Sequence, residues 1–112
     1  MNVGLDIRFS KESVVYCQHC GKPVFNQTER DICSGGRGWY PFLESIGYYV
    51  PYDKRTEEND WYAKDMTLTL DQMKEACAFL RKNRGLYEAS EIHDMIASAI
   101  LSGDEIVVNA DW

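Results

Sequence analysis

Past Arg84 the chain has no lysine or arginine, and its 112 residues hold only two histidines and three prolines. Each shortage closes a route. Direct nucleic-acid binding calls for clustered Lys and Arg to meet phosphates, and an excess of acidic residues disfavours it. A catalytic zinc site commonly uses a histidine-and-glutamate pair on one helix, and neither an H-E-x-x-H nor an H-x-E signature occurs. There is no P-loop and no G-x-S-x-G elbow; Ser34-Gly35-Gly36-Arg37-Gly38 is glycine-rich but lacks the lysine of a phosphate cradle. The acidic neighbours Glu57/Glu58 and Asp104/Glu105 lie in polar stretches, where solvation accounts for them. An enzyme is therefore not expected. No apolar run reaches the length of a membrane span. Met1 to Asp6 has neither the basic start nor the apolar stretch of a signal peptide, so a cytoplasmic, reducing setting is expected.

A hydrophobic content of 45% with 12% aromatic residues belongs to a folding chain, and the length fits one domain over 1–112. Within it, 1–38 is expected to hold strands and 39–112 helices and a closing strand. The net charge of −6 is unevenly placed. Residues 1–84 balance, so the whole excess comes from Glu88, Glu91, Asp94, Asp104, Glu105 and Asp111. A partner meeting that end would be basic, the alternative being a solvated acidic helix face.

The most specific local pattern is Tyr16-Cys17-Gln18-His19-Cys20-Gly21-Lys22-Pro23-Val24. It reads as strand, two-cysteine turn, strand. Two thiolates on such a knuckle supply half of a tetrahedral Zn²⁺ site, and the glycine lets the loop curl round the ion. In a reducing compartment four cysteines read as metal ligands or core residues before they read as disulfides. Cys33, thirteen residues after Cys20, is the expected third ligand, and His93, one position off the apolar stripe of its helix, the expected fourth. Asp31 or a water could stand in for it. Cys77 lies on an apolar helix face and reads as core. A thiol redox site would need the pair at a helix N-terminus, whereas Gly21 and Pro23 lead into a strand.

Val3, Leu5, Ile7 and Phe9 alternate with Gly4, Asp6 and Arg8, a half-buried strand. A turn is expected at 10–13, short strands at Val14–Tyr16 and Pro23–Phe25, and polar chain over 26–32. Helices are expected over about 39–49, after Thr69, and over about 88–102. Thr69 and Gln72 form a capping box, Leu68 and Met73 a staple, and Gly103 a stop. Ile106, Val107 and Val108 close the chain as a strand, a plausible neighbour of the first. This order predicts an α+β fold: a small antiparallel or mixed sheet, two to three helices and a zinc-knuckle hairpin. Eight of the fourteen aromatics fall between residues 39 and 62. Trp61 and Tyr62, set among charges, are candidate anchors for a protein partner, as are Tyr48 and Tyr52.

The knuckle from Tyr16 to Val24, the later Gly38-Trp39-Tyr40 and the final Ile106–Val108 together resemble a group of small phage and prophage proteins. Such proteins often carry Asn-x-Thr-His after the knuckle; here Asn26-Gln27-Thr28 runs into Glu29, which leaves Cys33 and His93 to complete the metal shell. Small, acidic and metal-containing, the chain is also similar to some type II anti-CRISPR proteins. That resemblance implies a non-enzymatic inhibitor that binds a basic host protein such as a CRISPR effector nuclease and blocks its uptake of target DNA. The alternatives are a structural or regulatory phage zinc protein with another partner, or a small thiol oxidoreductase, and a monomer is the expected state. The partner-binding residues would be Glu88, Glu91, Asp94, Asp104 and Glu105, with Trp61 and Tyr62 as anchors.

Overall fold

A computed structural model describes residues 5–32 and 38–112, Ile32 by its backbone alone. Strands β1 (Asp6–Tyr16), β2 (Pro23–Ile32), β3 (Met66–Thr67) and β4 (Glu105–Asp111) form one antiparallel sheet in the order β2-β1-β4-β3. Helices α1 (Trp39–Ser45), α2 (Leu70–Lys82) and α3 (Ala89–Ser102) cover one face of it. The fold is α+β, with the first strand paired to the last.

The period-two alternation of β1 decides which face is covered. Leu5, Ile7 and Phe9 point into the core, joined from β4 by Ile106, Val108 and Ala110. Phe9 is the centre of an aromatic group: its ring centroid is 5.8 Å from both Trp39 and Phe42, and Phe42 is 5.7 Å from Phe79. Met73, Ala76, Cys77 and Leu80 of α2, with Ile92, Ile96 and Ala99 of α3, complete the layer. Burying a side chain of this size removes it from water at about 1.5–3 kcal/mol each. The capping box that starts α2 is present as spelled by the sequence. Thr69 Oγ1 accepts from the Gln72 N–H at 3.1 Å, and Gln72 Oε1 accepts from the Thr69 N–H at 2.8 Å.

Three elements differ from the sequence expectation. No turn interrupts β1 at 10–13: the strand runs through to Tyr16, because β2 pairs with it rung for rung from Ile7↔Ile32 to Tyr16↔Pro23. For the same reason β2 extends through the polar stretch 26–32. Only its partner and the backbone ladder hold it, so it needs no apolar alternation. Helix α1 stops at Ser45 rather than 49, since Gly47 takes a left-handed φ of +80° and the Tyr48 and Tyr49 N–H groups both turn back to the Leu43 carbonyl.

Tyr48 was expected among the exposed aromatics and is instead fully buried. Its hydroxyl donates to the Lys64 carbonyl at 2.6 Å and accepts from the Ala110 N–H at 2.8 Å, tying the 50–65 excursion to β4. Burial pushes the phenol's pKa above its usual value. Around it Trp61 is half-buried, and Trp112 stacks edge-on against Tyr49 and Tyr62 at 5.1 and 5.0 Å. The Arg55 guanidinium lies over the Tyr49 and Trp112 rings at 5.6 and 5.5 Å while donating to the Val50 carbonyl. Replacing Tyr48 with Phe leaves the buried Ala110 N–H and Lys64 carbonyl without their partner. Tyr48→Phe should lower stability by about 1–3 kcal/mol, seen in urea unfolding as a lower midpoint with an unchanged slope.

Candidate functional site

Two features of the surface stand apart, and the hairpin of β1 and β2 carries both. β4 accompanies β1 only as far as the Glu12↔Glu105 rung. The four rungs beyond it, Ser13↔Asn26 to Tyr16↔Pro23, belong to a free two-stranded arm. At about 3.3 Å per residue the ribbon adds about 13 Å before its turn, in keeping with a long axis of 53 Å against 32 and 30 Å.

The turn at its tip is the cysteine knuckle. Cys17 N–H donates to the Lys22 carbonyl at 2.9 Å, and Gly21 N–H to the Cys17 carbonyl at 2.8 Å. Gly21 adopts a left-handed φ of +69°, the conformation for which a glycine is suited. Cys17 and Cys20 are free thiols. Hydrogen bonds from the Cys20 N–H, the His19 N–H and the Cys20 thiol, in that order of size, favour the Cys17 thiolate and hold its pKa below that of an ordinary thiol. Two sulfurs on one tight turn, one of them already favoured as the anion, fit half of a tetrahedral zinc shell.

The fold does not gather the rest of that shell from this chain. Among the described residues no three His, Cys, Asp or Glu side chains converge. His93 is on α3, where Nδ1 faces Asp94 at 3.2 Å and Nε2 faces the Arg81 guanidinium at 3.4 Å, so a cation already sits beside the nitrogen a metal would take. Further along α3, Ser98 meets Lys11 Nζ at 3.4 Å, and Cys17 is six residues beyond Lys11, about 20 Å of extended chain. His93, the expected fourth ligand, is thus engaged on α3 and is not grouped with Cys17 and Cys20 among the described residues. Cys33 lies outside the described residues; its chain neighbour Ile32 pairs with Ile7, nine rungs and about 30 Å from the Tyr16↔Pro23 rung. Asp31 pairs with Arg8 near that same end. Cys77 is buried in the core, where burial raises its thiol pKa.

The second feature is the sheet face turned away from the helices. Alternation brings Asp6, Arg8, Ser10 and Glu12 of β1 to it, with Glu29 and Asp31 of β2 and Glu105, Val107, Asn109 and Asp111 of β4. Among the described residues six strand carboxylates share this face with one strand cation, Arg8, itself 3.3 Å from Asp31. Asp6 is directly opposite Asp111, and Glu12 opposite Glu105. Like charges across a rung destabilise an antiparallel pair.

The acidic residues of the C-terminal third do not form one surface. Glu88, at the start of α3, pairs with Arg30 at 3.4 Å, and Glu91 and Asp94 are on the helical side. Asp104 is in the α3–β4 connection, and Glu105 is on the opposite face. Sequence reasoning overlooked Asp6, Glu12, Glu29 and Asp31 because basic residues nearby in sequence cancelled them. The period-two pattern of β1 was the available signal. Trp61 packs half-buried against the core, and Tyr62 is 45% exposed against Trp112, away from the arm.

Comparison with protein families, with curated proteins and with solved structures finds no match. The knuckle geometry makes its own prediction. In reduced, metal-free protein at neutral pH, iodoacetamide should label Cys17 well before Cys77. The Cys17 rate should rise with pH and level off below the range of a free thiol, because a lowered pKa yields the thiolate earlier. Peptide mass mapping over a pH series checks this, and equal rates at the two sites would contradict the hydrogen bonding described.

Proposed function

We propose that this protein works by binding rather than by chemistry of its own, taking a basic surface of another protein onto the open acidic face of its sheet. The observation that carries the reading is the set Asp6, Glu12, Glu29, Asp31, Glu105 and Asp111 on the sheet face away from the helices, with only Arg8 to offset them among the described residues. Opposed pairs such as Glu12↔Glu105 cost fold stability, and residues that work against their own fold point to a role outside it. A field of one sign over several rungs steers an oppositely charged partner and fixes its orientation. The zinc knuckle is proposed as the stabiliser of the arm.

The resemblance to phage proteins and to type II anti-CRISPR proteins supplies the first partner to try, a CRISPR effector nuclease in the host cytoplasm. Its nucleic-acid channel is basic, and an acidic sheet face seated there would exclude target DNA. Residues Glu88, Glu91 and Asp94 on the helical side would then contribute little, and Glu105 much.

Capture by the purified nuclease should weaken steeply between about 0.1 and 1 M salt, over which the screening length falls from ~10 to ~3 Å. Glu105→Lys separates function from fold. Opposite Glu12 it replaces a repulsion with an attraction, so the urea midpoint should rise by the equivalent of about 0.5 kcal/mol. Binding to the nuclease should fall by about tenfold, as expected when an interfacial charge is reversed at a cost of about 1.4 kcal/mol. Capture that is indifferent to both salt and this substitution removes the acidic face from the interface. No capture at all removes the nuclease.

A further inference from the structure

We infer that two copies of this chain join tip to tip through a single shared Zn²⁺, held by Cys17 and Cys20 of each. The inference rests on the arm rather than on the acidic face. It adopts the zinc expectation for the knuckle and changes where the other two ligands come from.

A closed tetrahedral zinc site needs four donors, and a second knuckle supplies the missing pair by the symmetry of a two-fold interface. His19 sits in the knuckle between the two cysteines, yet among the described residues no third donor converges with them. Cys77 is in the core, His93 is engaged by Arg81 and Asp94, and the neighbour of Cys33 is fixed at the other end of the hairpin. The tip is the part of the molecule that projects furthest along the arm, so two of them can meet without their bodies colliding.

The skin around the knuckle fits a second copy. Val15 and Val24 form one cross-strand pair, and Val14 with Phe25 another, facing the opposite way. Phe25 is 76% exposed and Tyr16 67%, and Val14, Val15 and Val24 are each about half exposed. This is apolar surface on both faces of a ribbon that no helix of the described residues covers. Burying it between two arms would exclude water from the zinc–sulfur bonds.

Charge points the same way. From Ser13 to Thr28 the only charged side chain is Lys22, in a protein of net charge −6. The tip is thus a region where two copies can approach without their acidic surfaces repelling each other. Four thiols lose their protons to the buffer as the zinc binds. The resulting charge of −2 on the cluster is balanced by the two Lys22 side chains, one from each knuckle.

The test is a metal titration of the full reduced chain in a non-thiol reductant, with molar mass followed by light scattering and metal content by native mass spectrometry. The expected result is a species of twice the 12.9 kDa chain mass, carrying one Zn²⁺ per two chains and returned to single chains by EDTA. Co²⁺ in place of zinc should saturate at one ion per two chains, with the absorption of a tetrahedral four-sulfur site. Cys17→Ser/Cys20→Ser should stay single-chain with or without zinc, at the unfolding midpoint of the metal-free wild type; the wild-type titration decides the matter even if that variant does not fold. One metal per chain at single-chain mass overturns the inference, as do absence of metal binding and a dimer that forms equally well in EDTA. Glu105→Lys should dimerise like the wild type, so a failure of the nuclease reading and a failure of this one are told apart.

Discussion

Seven rungs of antiparallel ladder, from Asp6↔Asp111 to Glu12↔Glu105, join the first strand of the chain to its last. Everything else is arranged around that pairing. It lays Ile7 and Phe9 beside Ala110 and Val108, making a continuous apolar floor for α1, α2 and α3. It places β1 inside the sheet, so that β2 can pair along its other side for the whole length of the hairpin. The floor is anchored further by Tyr48, whose hydroxyl reaches the backbone of β4 from a loop 62 residues earlier in sequence. Contacts this distant are slow to close because loop entropy is lost before any burial offsets it.

The same ladder creates the surface argued to bind. A strand buried on one face displays its other residues on the opposite face at every second position. In β1 and β4 those residues are largely acidic, and antiparallel register sets Asp6 against Asp111 and Glu12 against Glu105. Where β4 ends, the hairpin continues alone. Its residues change from charged to apolar, and it finishes on two free thiols held on one tight turn. A single β-hairpin is marginal in water without further support, and the proposed metal would supply that support at its free end.

Legibility in the sequence followed the range of the interaction. The Thr69–Gln72 capping box, the Gly103 stop and the core face of α3 are set by neighbours within four residues, and all could be read directly. So could the strand alternation up to Phe9, and the expectation that Cys77 is buried. The run from Ser10 to Ser13 and the polar stretch 26–32 could not be read. Their extended form is imposed across the hairpin, where Ser10 to Ser13 meet partners 13 to 19 residues away, and neither carries an apolar pattern. The two-residue β3 was equally silent, because only β4 makes it a strand.

The candidate sites divide in the same way. The sequence by itself determined the knuckle, since Cys17, Cys20 and Gly21 act within one turn and need nothing remote to take their shape. It also determined the fold class, through periodicities that belong to single elements. The tertiary structure alone decided where charge accumulates and which ligands can meet. Glu12 and Glu105 are 93 positions apart yet share a rung, whereas Glu91 and Glu105 are 14 apart and face opposite sides. Cys17 is at the tip of the hairpin, about 20 Å of extended chain beyond Lys11, whereas His93 is on α3 beside Arg81. Electrostatics and metal coordination act through space over a few ångströms, and only the packed chain says which residues those distances connect.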